Sequence, residues 1–192
     1  MMLPSLAVVL LYREPRQLLF AFLLPMAVLL TAGLAISFRT PANRSIFALE
    51  GFVVVSLSWF TLSLFGCLPF LLSGAIPRWI DAFFEAASGF TTTGASVVKD
   101  VEILPRSILF WRSSTHLVGG MGVLVFALAV MPRIGSDAVH ILKAEVPGPV
   151  FGKIMPRVHN TARFLYLIYL ALAAVLVLLL LVGGMPLFDS LI

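Results

Sequence analysis

Charge is what this sequence has least of. Only 11% of its 192 residues are Asp, Glu, Lys or Arg, against 60% hydrophobic, whereas a soluble domain carries about 25% charged residues. The mean hydropathy is +1.08. Cysteine is nearly missing as well. Cys67 stands alone inside an apolar run, which excludes an internal disulfide and a thiol-rich metal cluster and leaves a small core residue. A basic face is also lacking. The net charge is +4 and the pI about 9.7, but Lys and Arg flank the apolar runs, so nucleic acid is not an expected partner. The surroundings of a catalytic serine are missing too. Ser88 with His116 superficially resembles a serine–histidine dyad within a membrane, a remote reading as an intramembrane serine hydrolase. Yet Ala86-Ala87-Ser88-Gly89 has no glycine two residues before the serine, and no oxyanion-hole motif is visible. Neither enzyme activity nor a cofactor is expected.

The charges that exist are bunched. Gln17–Phe38, Gly51–Pro77, Ser113–Pro132 and Phe164–Phe188 contain none, and each run is at least 20 residues long, enough for a helix to cross a hydrocarbon core of about 30 Å. The expected fold class is therefore all-α integral membrane, embedded in the lipid bilayer, with four spans near Leu18–Phe38, Phe47–Leu72, Leu104–Pro132 and Phe164–Val182. Met1–Tyr12 is uncharged but too short to span. It lacks the basic start and small-residue cleavage site of a signal peptide and reads as a partial helix. The connection Arg133–Arg163 carries Arg133, Lys143, Lys153, Arg157 and Arg163 against Asp137 and Glu145. That excess assigns it to the cytoplasmic side, together with the basic Arg39–Arg44 turn.

Between the second and third spans the pattern changes. Trp79–Ser88 reads as a short amphipathic helix, with Asp81 near its start, where a negative charge suits the helix dipole, and Glu85 four residues on along the same face. Gly89 is expected to end it. The 13 residues between Glu85 and Lys99 are uncharged; they are too few to span, and a glycine with three threonines makes poor helix. A half-helix followed by an irregular return is a re-entrant element, tolerated at membrane depth only where it is buried in protein or lines a water-filled cavity. The return, Thr91-Thr92-Thr93-Gly94-Ala95-Ser96, has what a potassium filter needs. A dehydrated cation is wrapped by backbone carbonyls from four similar loops, and turning successive carbonyls to one side asks a residue such as Gly94 to adopt φ > 0. Against the channel pattern Thr-Val-Gly-Tyr-Gly, Thr92–Ser96 keeps the threonine and the central glycine and loses the aromatic and the last glycine. A plain polar turn is the alternative for these six residues. The half-helix before them and the span after them favour the filter, with the helix C-terminus aiming partial negative charge at the cation.

Asp81-Ala-Phe-Phe-Glu-Ala-Ala-Ser-Gly-Phe-Thr-Thr-Thr-Gly-Ala-Ser96 resembles the first pore segment of the Trk/Ktr/HKT potassium transporter superfamily, in its TrkH branch. Leu104–Arg112 and Gly119-Gly-Met-Gly122 resemble the helix that follows it, and Ala144–Pro149 the family's cytoplasmic elbow. The similarity covers nearly the whole chain. It implies four non-identical span–pore–span repeats in one polypeptide, forming a pseudo-fourfold pore in the inner (plasma) membrane with its filters facing outside. Transported K+ would meet Thr92, Thr93 and Gly94, with Ala95 as a further carbonyl donor and Thr91, Ser96, Asp81 and Glu85 supporting the filter. The resemblance also implies a homodimer and a cytoplasmic nucleotide-binding regulatory ring.

On this reading residues 1–46 are an N-terminal helical region, 47–132 the first repeat with its filter at 91–96, and 133–163 the cytoplasmic connection. Residues 164–192 begin a second repeat, because Leu187-Phe-Asp-Ser-Leu-Ile192 echoes Trp79–Phe84. The family's other three filters are not in this sequence, so it is expected to be part of a longer potassium transporter. A non-conducting remnant or assembly subunit is the alternative. His116 is expected as a neutral histidine hydrogen-bonded between helices, Arg112 as snorkelling or paired with Glu85 or Glu102, and Gly119–Gly122 as allowing close helix contact or a kink.

Overall fold

A computed structural model describes residues 2–38, 48–123 and 158–192, and every regular element among them is helical. The helices are α1 (Met2–Leu11), α2 (Arg16–Ser37), α3 (Ala48–Gly66), α4 (Leu68–Leu72), α5 (Trp79–Phe90), α6 (106–123), α7 (Val158–Val182) and α8 (Leu187–Leu191). Among the described residues, three stretches are long and apolar enough to cross a membrane: Arg16–Ser37, Val53–Leu72 and Arg163–Val182. Of the fourth expected span, Leu104–Pro132, the described part is helix α6 as far as residue 123, and that part is not among the three. Residues 124–132, the connection 133–157, the Ala144–Pro149 elbow and the Arg39–Arg44 turn lie outside the described residues. By contact the chain divides into two compact units, Met1–Gly119 with Ile192, and Gly120–Leu191.

Local chemistry sets the breaks. The partial helix expected at the N-terminus is α1, and it closes with Arg13 in a left-handed conformation (φ +50°), with the Glu14 N–H on the Val9 carbonyl at 3.0 Å. Pro15, held at φ −54°, starts α2, since proline disfavours helix in the residue before it. The second span is interrupted near Pro69, which has no N–H for the helical ladder. Just before it the Gly66 carbonyl accepts the Trp111 indole N–H at 3.0 Å.

The core of the first unit gathers around that indole. Trp111 meets Phe22 of α2 and Phe90 of α5 edge-on, with ring centroids 6.3 and 6.4 Å apart, a favoured aromatic geometry. Phe22, Phe70, Phe90 and Ile108 are all buried. Elsewhere the apolar surface faces outward. The span Arg163–Val182 has a mean hydropathy of 3.0 and none of it is buried, which suits hydrocarbon as its solvent.

One expectation is corrected here. Gly89 does not end the half-helix; α5 continues to Phe90, with Thr91 at its C-cap. The helix closes two residues further on. The Thr92 N–H bonds the Gly89 carbonyl and the Thr93 N–H the Ser88 carbonyl, the paired pattern of a Schellman motif, with Thr92 in the left-handed position that glycine usually takes. Gly89 instead serves packing, because a Cβ there would run into the Thr115 hydroxyl of α6. Gly119 does the same from the other side, with a would-be Cβ against the Phe90 carbonyl and 2.9 Å from the Gly89 carbonyl. Of the two roles expected for the glycine run, Gly119 takes the close contact.

Candidate functional site

The loop after α5 is shaped by its backbone first. Thr92 (φ +57°) and Gly94 (φ +77°) are left-handed and Thr93 between them is not. The N–H groups of Thr92 and Thr93 point back at α5. Because a trans peptide unit carries its N–H and C=O on opposite sides, the carbonyls of Thr91 and Thr92 must point away from that helix. Among the described residues, no hydrogen bond reaches the carbonyls of Thr92, Thr93 or Gly94. Residues 91–97 are exposed within this chain. Three free carbonyls in succession are chemically able to accept a cation.

Ala95 is placed differently from its expected neighbours. Its carbonyl turns toward α5 and accepts the Ser88 hydroxyl at 2.6 Å. Ser96 stands with its hydroxyl 3.0 and 3.1 Å from the two Glu85 carboxylate oxygens, and the Val97 N–H donates to Glu85 Oε2 at 2.9 Å. By the same peptide geometry, the Ser96 carbonyl points away from Glu85. Thr91 sits at the helix end, its hydroxyl on the Ala87 carbonyl and 2.8 Å from the Thr93 hydroxyl.

Glu85 is the centre of the support. Its side chain is 1% exposed and pairs with Arg112 of α6, Nε to Oε1 at 2.6 Å, so of the two partners expected for Arg112 it is Glu85 that is bonded. Asp81 is not brought to the loop. It lies one turn earlier, 3.6 Å from the Arg78 guanidinium, whose side chain is 79% exposed, and a solvent-facing pair of that kind contributes little. His116 bonds within its own helix, Nδ1 3.0 Å from the Arg112 carbonyl, rather than between helices. With the Ser88 hydroxyl on Ala95, no hydrogen bond joins Ser88 and His116 among the described residues. Ser88 is the supporting residue that the sequence reading missed. Its position one helical turn before the loop, on a buried face, was the available signal.

The fold defines an all-helical integral membrane protein in which a half-helix and an irregular uncharged return precede a further helix. The family profile described as "TrkH: Cation transport protein" matches residues 19–186. The chain is 34% identical over 192 residues to the Trk system potassium uptake protein TrkG of Escherichia coli K12, which covers 98% of this chain and 39% of TrkG. It is 37% identical over 193 residues to the Trk system potassium uptake protein TrkH of Vibrio parahaemolyticus, covering 99% of this chain and 39% of that protein. With TrkH of Escherichia coli K12 it shares 43% over 143 residues, 73% of this chain and 30% of the relative. The chain belongs to the TrkH cation transport protein family, a family of transporters and not of enzymes, and it spans less than two fifths of the length of these curated relatives.

Proposed function

We propose that this chain supplies one wall of a potassium-selective filter, within a longer Trk-type potassium uptake protein that lets K+ run down its electrochemical gradient. The observation that carries the reading is the run of three carbonyls, Thr92–Gly94, unbonded among the described residues, with left-handed backbone at Thr92 and Gly94, at the C-terminal end of a half-helix. Carbonyl oxygens in place of a hydration shell are how potassium filters work, and the end of α5 adds partial negative charge beside them. K+ is the cargo, held at Thr92, Thr93 and Gly94, with Thr91 and Ser96 at the loop's ends. Ala95 has one of its two carbonyl lone pairs taken by Ser88 and contributes less than the other three.

The remaining assignments rest on the family resemblance and the charge pattern. The protein sits in the inner (plasma) membrane with the filter loop outside and residues 133–163 in the cytoplasm. Residues 47–132 form one repeat and 164–192 open the next. Local geometry supports that echo. The turns after α4 and α7 each carry a left-handed glycine, Gly74 (φ +75°) and Gly184 (φ +88°), shortly before Pro77 and Pro186. The other partners are the remaining repeats of the polypeptide, a second copy of the protein and a cytoplasmic nucleotide-binding ring.

The test is rubidium uptake in a potassium-uptake-deficient host carrying the full-length polypeptide. Gly94→Asp, which adds a charge and a side chain at a left-handed residue, is expected to abolish uptake or alter its selectivity. Unchanged flux and selectivity would sink the filter assignment.

A further inference from the structure

The return leg of the loop is held almost entirely by side chains. Among the described residues, no backbone–backbone hydrogen bond reaches residues 94–98. The ties to α5 are Ser88 on the Ala95 carbonyl, and Glu85 on the Ser96 hydroxyl and the Val97 N–H. Among the described residues, no backbone bond besides them ties this leg to the half-helix.

We propose that the buried Glu85–Arg112 pair is a positioning element that sets the ion selectivity of the filter. The proposal rests on the filter reading above and adds the part that holds the filter in shape. Glu85 receives donors from three places at once: Ser96 and Val97 of the loop and Arg112 of α6. A buried carboxylate is costly unless it is paired and hydrogen-bonded, and Arg112, at 21% exposure, pairs with it from the next helix. Arg112 is steadied in turn. Its carbonyl accepts the Thr115 hydroxyl at 2.6 Å and faces His116 Nδ1. The α6 backbone is gripped at its start, where the Ser107 N–H meets the Glu14 carboxylate at 3.3 Å, an anion suited to a helix N-terminus.

The loop therefore takes its position from α6 as well as from α5. Selectivity depends on the number and placement of the coordinating carbonyls. Val97 bound to Glu85 fixes the peptide unit that carries the Ser96 carbonyl, and the Ser96 hydroxyl fixes the residue itself. Because the two charges cancel, the strut restrains the loop without adding net charge beside the permeating ion.

The experiment compares rubidium with sodium uptake, each normalised to the amount of protein in the membrane, for the full-length polypeptide and its variants. Glu85→Gln keeps the size of the side chain and removes the charge; it is expected to lower the rubidium-to-sodium ratio about tenfold, the size of effect expected when one member of a contacting group is removed. Arg112→Gln leaves the buried carboxylate alone and is expected to lower the ratio and the protein level together. The double variant Glu85→Gln/Arg112→Gln should be no worse than Arg112→Gln, since the orphan charge is gone. Ser96→Ala removes a tie without stranding a charge. It is expected to lower the ratio less, and it carries the test if Glu85→Gln does not accumulate. A wild-type ratio in Glu85→Gln, or in Ser96→Ala where only that variant accumulates, overturns the proposal, as do additive losses in the double variant. If the wild-type ratio survives in these variants while Gly94→Asp is dead, the filter reading stands and the strut falls. If the wild-type protein does not prefer rubidium to sodium, the filter reading itself fails.

Discussion

Thr92 adopts φ +57°, a conformation in which the Cβ of an L residue crowds the next carbonyl at a cost of about 1–2 kcal/mol. A β-branched residue there persists only because its surroundings demand it. Here the demand is visible: Thr92 closes α5, and its N–H and that of Thr93 satisfy two helix-end carbonyls. Thr92→Gly is therefore expected to raise stability by about 1 kcal/mol, read as a higher midpoint of thermal unfolding in detergent. A lower midpoint would show that the side chain's contacts outweigh the strain. Gly94 was legible in the sequence because glycine has few other reasons to stand in a threonine run. Thr92 was not, since no propensity favours threonine at that angle. Glu85 was read as a support from its place on the half-helix. Its bond to Arg112, 27 positions away, was one of two candidates, because Glu102 stands closer in sequence and only the fold brings α6 back against α5.

The junction of α5 and α6 works through missing side chains. Gly89 and Gly119 face one another's helices, and a methyl on Gly119 would strike the carbonyls of Phe90 and Gly89. Backbone cannot swing aside as a flexible side chain can. Gly119→Ala is expected to force the helices apart at a cost of about 1–3 kcal/mol. Detergent-solubilised protein should unfold at lower temperature, and rubidium flux should fall as the loop moves with α5. Gly33, inside α2 with nothing within 4 Å of a Cβ, provides the control. Gly33→Ala should leave the flux unchanged and the unfolding midpoint the same or higher, since alanine is the better helix former. The half-helix was legible in its amphipathic run and its punctuation, but its end was misread. A glycine after an apolar helical stretch usually marks a stop. Gly89 is there because Thr115 needs the space, a reason that lies on another helix and leaves no local trace.

At the scale of the molecule, the charge-free runs carried most of the fold. Three of them correspond to Arg16–Ser37, Val53–Leu72 and Arg163–Val182, since a helix that must hide its backbone from lipid has little freedom in composition. The break near Pro69 and the left-handed closures at Arg13 and Thr92 were less legible, because they depend on neighbours. The exposed apolar surface of these spans leads to a plain expectation: alkaline or high-salt washes should leave the protein in the membrane pellet, and only detergent should release it. Recovery in the aqueous wash would contradict a membrane-spanning fold. The closure of α5 has a further bearing on which changes the chain can absorb. The same two N–H groups that finish the helix also aim the first free carbonyls of the loop, so the helix and the loop are phased like meshed gears. One residue added or lost between Ser88 and Gly94 would slip a tooth, moving the left-handed sites onto other side chains and reversing which carbonyls face outward. Past Val98, where Glu85 and Ser88 no longer hold the loop, a change of length has slack to take it up.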